Sequence, residues 1–189
     1  MLVSISGPPR SGKTTLHKIL RQSYQFDAPV TFVPDLVRQA IDNIGVDFAE
    51  TDRQAFQDYV GFAQYVAELR MPTGRTGILD KSLIDAVAYW DVLVGGKRPV
   101  WASLVHRRYD LVLLCGHEEV PVRGSAVDLM HSALRDRLAK AVAAVAQEAD
   151  SKLVWISGSL AERVATAVGH IGDPLLTRGS GDTYARARR

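Results

Sequence analysis

Residues 7 to 14 read Gly7-Pro8-Pro9-Arg10-Ser11-Gly12-Lys13-Thr14, two glycines with four residues between them, then a lysine and a hydroxyl. That spacing suits an anion. The glycines allow a tight turn and a close approach of backbone amides to phosphate oxygens. A helix beginning at Lys13 adds its positive end. Lys13 is placed to bridge the outer phosphates, and Thr14 to ligate Mg²⁺ through its hydroxyl. Gly7 through Thr14, together with Thr15, are therefore the expected nucleotide-binding residues, with ATP or GTP as ligand. Two more acids stand where short apolar runs end: Asp35 after Thr-Phe-Val-Pro, and Asp80 after Gly-Ile-Leu. A carboxylate there can hold Mg²⁺ or accept the proton of an attacking hydroxyl. It can equally cap the helix that follows.

The elements that must position these groups alternate. Apolar runs at 2–6, 30–33, 77–79, 111–114 and 153–156 read as buried strands. Helical spacing fills 13 to about 24, 36–44, the stretch after a Thr51–Gln54 capping box to about 70, 82–93, a segment reaching about 149, and 160–171. Short strands that are apolar on both faces and alternate with helices predict a parallel sheet covered on both sides. Ligands in such sheets sit beyond the carboxyl ends of the strands, where the loop and both acids belong. The expected architecture is an α/β three-layer sandwich with a five-stranded parallel sheet. Residues 1–172 form the domain, with a small lid at about 117–135, and 173–189 form a basic, flexible tail.

Bulk properties narrow the partners. The chain has 189 residues, a formal charge of +2 and one cysteine, so an internal disulfide and a cysteine-rich metal site are excluded. The histidines show no His-x3-His pair for zinc. No run is long enough for a membrane helix, and the first residues lack a signal peptide's basic and apolar regions, so a cytoplasmic protein is expected. In the last 12 residues Arg178, Arg186, Arg188 and Arg189 stand against Asp182 alone. Such a tail is either a solvated, frayed end or a contact for the phosphates of DNA.

The residues also carry a family resemblance. SISGPPRSGKTTL, VPDLVRQAID, FQDYVGFAQYVAEL, ILDKSLIDAVAYW, YDLVLLCG and VWISGSLAERVATAV together resemble the P-loop nucleoside and nucleotide kinase group. The likeness is to the NadR-type ribosylnicotinamide kinase and the AAA_28-like ATPase domain, over residues 1–172. It implies that Asp35 acts as base at the acceptor hydroxyl, that Asp80 orders Mg²⁺ and its waters, and that ATP is the donor. Arg38 then reaches substrate or the transferred phosphate, or else is an exposed helix arginine. Asp85 touches substrate or lies on a wet helix face. Tyr59 or Phe62 stacks on an acceptor base, or belongs to a packed helix face.

The sequence departs from the group in two places. Asp80-Lys81 replaces the usual Asp-Arg, which keeps charge but loses bidentate geometry. The lid offers His117, Glu118, Glu119 and Arg123-Gly124 in place of an Asp-Gly pair, leaving Arg123 as the lid's catalytic cation. Arg135 and Arg137 further on lie on opposite faces of a helix, so at most one reaches the phosphates. The expected activity is transfer of the γ-phosphate of ATP to a hydroxyl of a nucleoside, nucleotide or similar small molecule. The alternatives are a phage-type DNA kinase acting on a hydroxymethylated base, held by the tail and His106-Arg107-Arg108, and a regulatory nucleotide-binding module.

Overall fold

The computed structural model describes residues 1–26, 29–44, 52–116, 126–172 and 174–176. Its strands are β1 (Leu2–Ser6), β2 (Tyr24–Phe26), β3 (Val30–Val33), β4 (Thr76–Asp80), β5 (Leu111–Cys115), β6 (Lys152–Ile156) and β7 (Pro174–Leu176). The helices are α1 (Lys13–Ser23), α2 (Leu36–Ile44), α3 (Arg53–Leu69), α4 (Leu83–Leu93), α5 (Ala126–Glu148) and α6 (Leu160–Ile171), with a 3-10 helix at Val100–Val105. Five strands form a sheet in the order β3-β4-β1-β5-β6, and every neighbouring pair is parallel. The α/β reading of the sequence is thus borne out.

Side-chain alternation along the strands divides the core in two. Val3, Ile5, Leu111, Leu113 and Cys115 pack toward Leu16 and Leu20 of α1 and Val164 and Ala167 of α6. Val112 and Leu114 face the other way, toward α4 and toward Val142, Val145 and Ala146 of α5. Trp90 and Trp101 meet edge to face at 6.1 Å inside this second layer, which makes both of them core.

Some elements were not expected. β2 and β7 pair antiparallel in a separate two-stranded sheet, so residues assigned to the tail contribute a strand. The cap of α3 is Asp52, whose side chain accepts from the Ala55 amide at 2.9 Å; Thr51 lies outside the described residues. So do residues 117–125 of the expected lid, Arg123 among them, and residues 177–189. Among the described residues no helix is long and apolar enough to cross a membrane.

Parallel register gathers the chemistry at one edge. Ile5 pairs with Asp80 and Val33 with Leu79. Gly7, Asp80 and Asp35 therefore all emerge from the carboxyl ends of adjacent strands.

Candidate active site

The loop after β1 turns through two glycines whose backbones only glycine adopts readily: Gly7 at φ 137° and Gly12 at φ 86°. A Cβ on Gly7 would lie 2.9 Å from the carbonyl oxygen of Cys115. Gly12 caps α1 without a side chain, which leaves the first-turn amides of the helix to an anion. Lys13 is folded under the loop. Its Nζ donates to the Pro8 carbonyl at 2.6 Å and to Ser11 Oγ at 3.3 Å. Burial, and then repulsion from Lys81, lower its pKa to about 8.

A buried polar network supports the loop from below. Ser4 and Ser6 alternate onto the α4 side of β1, where Ser4 Oγ donates to Ser82 Oγ at 2.7 Å and Ser6 Oγ to Asp85 Oδ2 at 2.7 Å. Asp85 also accepts from the Gly7 amide at 3.1 Å and the Ser82 amide at 3.0 Å, closing a capping box at the start of α4. Burial raises its pKa, and Lys13 and these donors pull it back. Asp85 was expected at the substrate or on a wet face. It is only 2% exposed, and both of its oxygens are engaged beneath the loop.

A second brace comes from the far end of the chain. Arg163 on α6 donates through Nη1 to the Ser11 carbonyl at 2.9 Å and the Gly116 carbonyl at 3.0 Å, and through Nε to the Gly158 carbonyl at 2.8 Å. One guanidinium thus ties the phosphate loop to the loops after β5 and β6. Nothing in the spacing of α6 marks this arginine out; Ser4 and Ser6, polar residues inside an apolar strand, did carry a signal.

Asp35 and Lys81 occupy the junction of three concavities. One, of about 470 Å³, is lined by Pro9 through Thr15 with Asp35 and Lys81. Another, of about 590 Å³, has Thr14, His17, Asp35, Arg38 and Asp80 in its wall. The third, of about 210 Å³, lies between α3 and α4, lined by Phe56, Gln57, Val60, Gln64, Lys81, Tyr89 and neighbours. Asp35 Oδ1 accepts from the Val37 amide at 3.0 Å, which caps α2, while Oδ2 pairs with Lys81 Nζ at 3.0 Å. Both roles open to a strand-end acid are therefore available to this one. Lys81 has φ 72°, an uncommon conformation for a side-chain-bearing residue. Its amide donates to the Ile5 carbonyl at 3.0 Å, and its carbonyl accepts from Gln64 at 3.4 Å. That backbone aims the ammonium at Asp35 and within 5.7 Å of the Tyr89 ring centroid.

The residues present fit Mg²⁺. Asp80 is 1% exposed, and its Oδ1 is buried without a hydrogen-bond partner, a costly state for a carboxylate oxygen unless a cation or its water completes it. Thr14 lines the same concavity.

The remaining expected residues fall as follows. Arg38 is exposed on α2 beside Asp35 and Asp80. Arg135 is buried, and burial and then the nearby Arg10 lower its pKa, whereas Arg137 is exposed and donates to the Val92 carbonyl. Tyr59 and Phe62 are 43% and 56% exposed and do not line the α3–α4 cavity. Three-residue steps singled them out, but the inward face of α3 runs in steps of four, through Phe56, Val60, Gln64 and Glu68.

Residues 2–163 match the family model AAA_28, described as an AAA domain. The chain belongs to the AAA_28 family. Its fold is shared with thymidylate kinase from Candida albicans at 15% identity and TM-score 0.57, covering 90% of this chain and 89% of that one. A deoxyadenosine kinase from M. mycoides, in a structure with dCMP and dCDP, aligns at 13% identity and TM-score 0.59, covering 90% and 98%. The same enzyme with dATP aligns at 14% and 0.55, covering 90% and 99%. No curated protein sequence matches this AAA_28 chain.

Proposed function

We propose that this AAA_28 protein is an ATP-dependent kinase that transfers the γ-phosphate to a hydroxyl of a nucleoside, nucleotide or similar small molecule. One observation carries the reading. The Asp35–Lys81 ion pair stands where the phosphate-loop concavity meets a separate, mostly apolar cavity of a size for a small planar group. A donor in the first and an acceptor in the second place a hydroxyl beside Asp35. The enzymes named in the structural matches, a thymidylate kinase and a deoxyadenosine kinase, agree with that class of acceptor.

Each residue then has a task. The loop amides and Lys13 hold the β- and γ-phosphates and offset charge that builds up as the leaving oxygen separates. Mg²⁺, held by Thr14 and Asp80, would supply further neutralisation of the phosphate oxygens. Asp35 orients the acceptor hydroxyl and takes its proton as the oxygen attacks the γ-phosphorus and ADP departs. Lys81 leaves Asp35 for a phosphate oxygen, which frees the carboxylate for that proton. Arg38 at the cavity mouth and Arg123 of the lid add positive charge to the transferred group. Gln57 and Gln64 present amide edges to the acceptor, within the wall made by Phe56, Val60 and Tyr89.

The test is a transfer screen with γ-labelled ATP over nucleosides, nucleotides, ribosylnicotinamide, plain DNA and hydroxymethylated DNA. Label moving to a small acceptor supports the reading. Label moving only to DNA, or ATP binding with no transfer to any acceptor, overturns it.

A further inference from the structure

The concavity of about 590 Å³ lies between α1 and α2, and only one end of it, at Thr14, Asp35 and Asp80, serves the transfer described above. Away from that end its walls carry Lys18, Arg21 and Gln22 of α1 and Arg38 and Gln39 of α2. Thr14, Lys18 and Arg21 recur at steps of four and three, so they share one helix face. Side chains on a helix lean toward its N-terminus. Lys18 and Arg21 therefore lean back toward Thr14, and Arg38 toward Asp35. Arg21 is two turns from Thr14, roughly 10 Å along the helix, and its long side chain shortens that gap.

Charge in this groove is unbalanced. None of Lys18, Arg21 and Arg38 forms an ion pair among the described residues. Asp35 is already paired with Lys81 at 3.0 Å, and Asp80 is the acid that fits Mg²⁺. The outer groove is thus a concave surface of cations and side-chain amides. Such a surface focuses positive potential and favours an anion with several oxygens, a phosphate above all.

The order of the sites indicates which phosphate. Lys81 lines the α3–α4 cavity and Asp35 lines the α1–α2 groove, so their ion pair joins the two. A mostly apolar slot for a planar group, a carboxylate for a hydroxyl and a cationic groove follow one another. Base, sugar and phosphate follow one another in the same way in a nucleotide. We infer that the acceptor is a nucleoside monophosphate whose existing phosphate lies on Lys18, Arg21 and Arg38, while a free sugar hydroxyl attacks; this rests on the kinase reading above. The hydroxyl oxygen bonds to the γ-phosphorus as that phosphorus parts from the oxygen bridging it to the β-phosphorus. The proton goes to Asp35, and ADP leaves. The product carries two separate monoester phosphates on one sugar. A nucleoside leaves the groove's cations unneutralised and is the poorer acceptor.

The experiment offers the full chain γ-labelled ATP with ribo- and deoxyribonucleosides and with every positional isomer of their monophosphates. A monophosphate should exceed its nucleoside in kcat/KM by about 100-fold, the worth of two charge-assisted contacts. Phosphorus NMR of the product should show two monoester signals with no phosphorus–phosphorus coupling. Lys18 and Arg21 are exposed. The double variant Lys18→Gln, Arg21→Gln should lower kcat/KM for the monophosphate by about tenfold or more. Its ATP affinity, thermal midpoint and slow transfer to the nucleoside should stay unchanged. Coupled signals, the mark of a diphosphate made by attack of the phosphate itself, overturn the inference and leave the kinase reading standing. So does a nucleoside that serves as well as its monophosphate, or a double variant with an undiminished preference. Transfer to no small acceptor overturns both.

Discussion

Lys13 is a buried ammonium waiting for an anion. Its pKa near 8 in the free chain means that an anionic nucleotide, which favours the charged form, must bring a proton with it at higher pH. Mg-ATP affinity should therefore be flat below about pH 8 and fall by up to about tenfold per pH unit above it. Stability should move oppositely. The unfolded chain holds the Lys13 proton up to about pH 10.5, so between about 8 and 10.5 the folded chain binds fewer protons and gains stability as pH rises. Calorimetry in buffers of different protonation enthalpy measures the first trend, and thermal melts the second. Lys81→Met removes the charge that, after burial, does most to depress this pKa, so the fall in ATP affinity should begin at higher pH. Asp35→Asn keeps the cap on α2, because asparagine and aspartate cap about equally well. It should leave ATP affinity nearly intact and lower transfer by roughly 10²–10⁴-fold. Full activity of the Asp35→Asn variant in the labelled-ATP assay would refute the assignment of Asp35 as base. The loop and the two strand-end acids were legible from sequence because backbone spacing alone places them. The fate of Asp85 was not, since it depends on Ser6 and Gly7, which lie 78 or more residues away in the chain.

At the scale of elements, the helices that wall the site are fixed by a few close approaches. Gly61 on α3 lies against the Trp101 ring, and a Cβ there would stand 2.5–2.8 Å from three ring atoms. Gly61→Ala must displace the 3-10 helix or α3, at a cost of about 1–3 kcal/mol, read as a lowered thermal midpoint. Asp85→Asn should lower stability by about 1–3 kcal/mol and weaken ATP binding as well, because one oxygen's worth of acceptor is lost to the Gly7 amide, Ser6 or the Ser82 amide. The strands of the sheet were readable because fully buried strands are plain apolar runs between turns. β2, β7 and the 3-10 helix were not, since their short sequences lack a period long enough to mark them. On α3 the sequence pattern was ambiguous for a physical reason: the helix carries an inward and an outward apolar face, and their overlapping steps hide which residues turn inward.

Across the whole molecule, the site is assembled from both ends of the chain. Asp80 and Gly7 are brought level by β4 and β1, and the loop is held from one side by α4 and from the other by α6. Arg163→Met should weaken Mg-ATP binding more than it lowers the thermal midpoint, with partial recovery in Arg163→Lys, which keeps the charge but not three directed bonds. Titration calorimetry beside thermal melts separates the two effects. The same brace has a consequence for the making of the protein. Ser11 and Arg163 are 152 residues apart, so at 5–20 residues per second a ribosome takes roughly 8–30 s between one and the other. Throughout that interval the phosphate loop exists as sequence without its clamp. A nascent chain can carry the whole glycine-lysine signature and still lack a finished nucleotide site, which ties the start of ligand binding to the synthesis of α6.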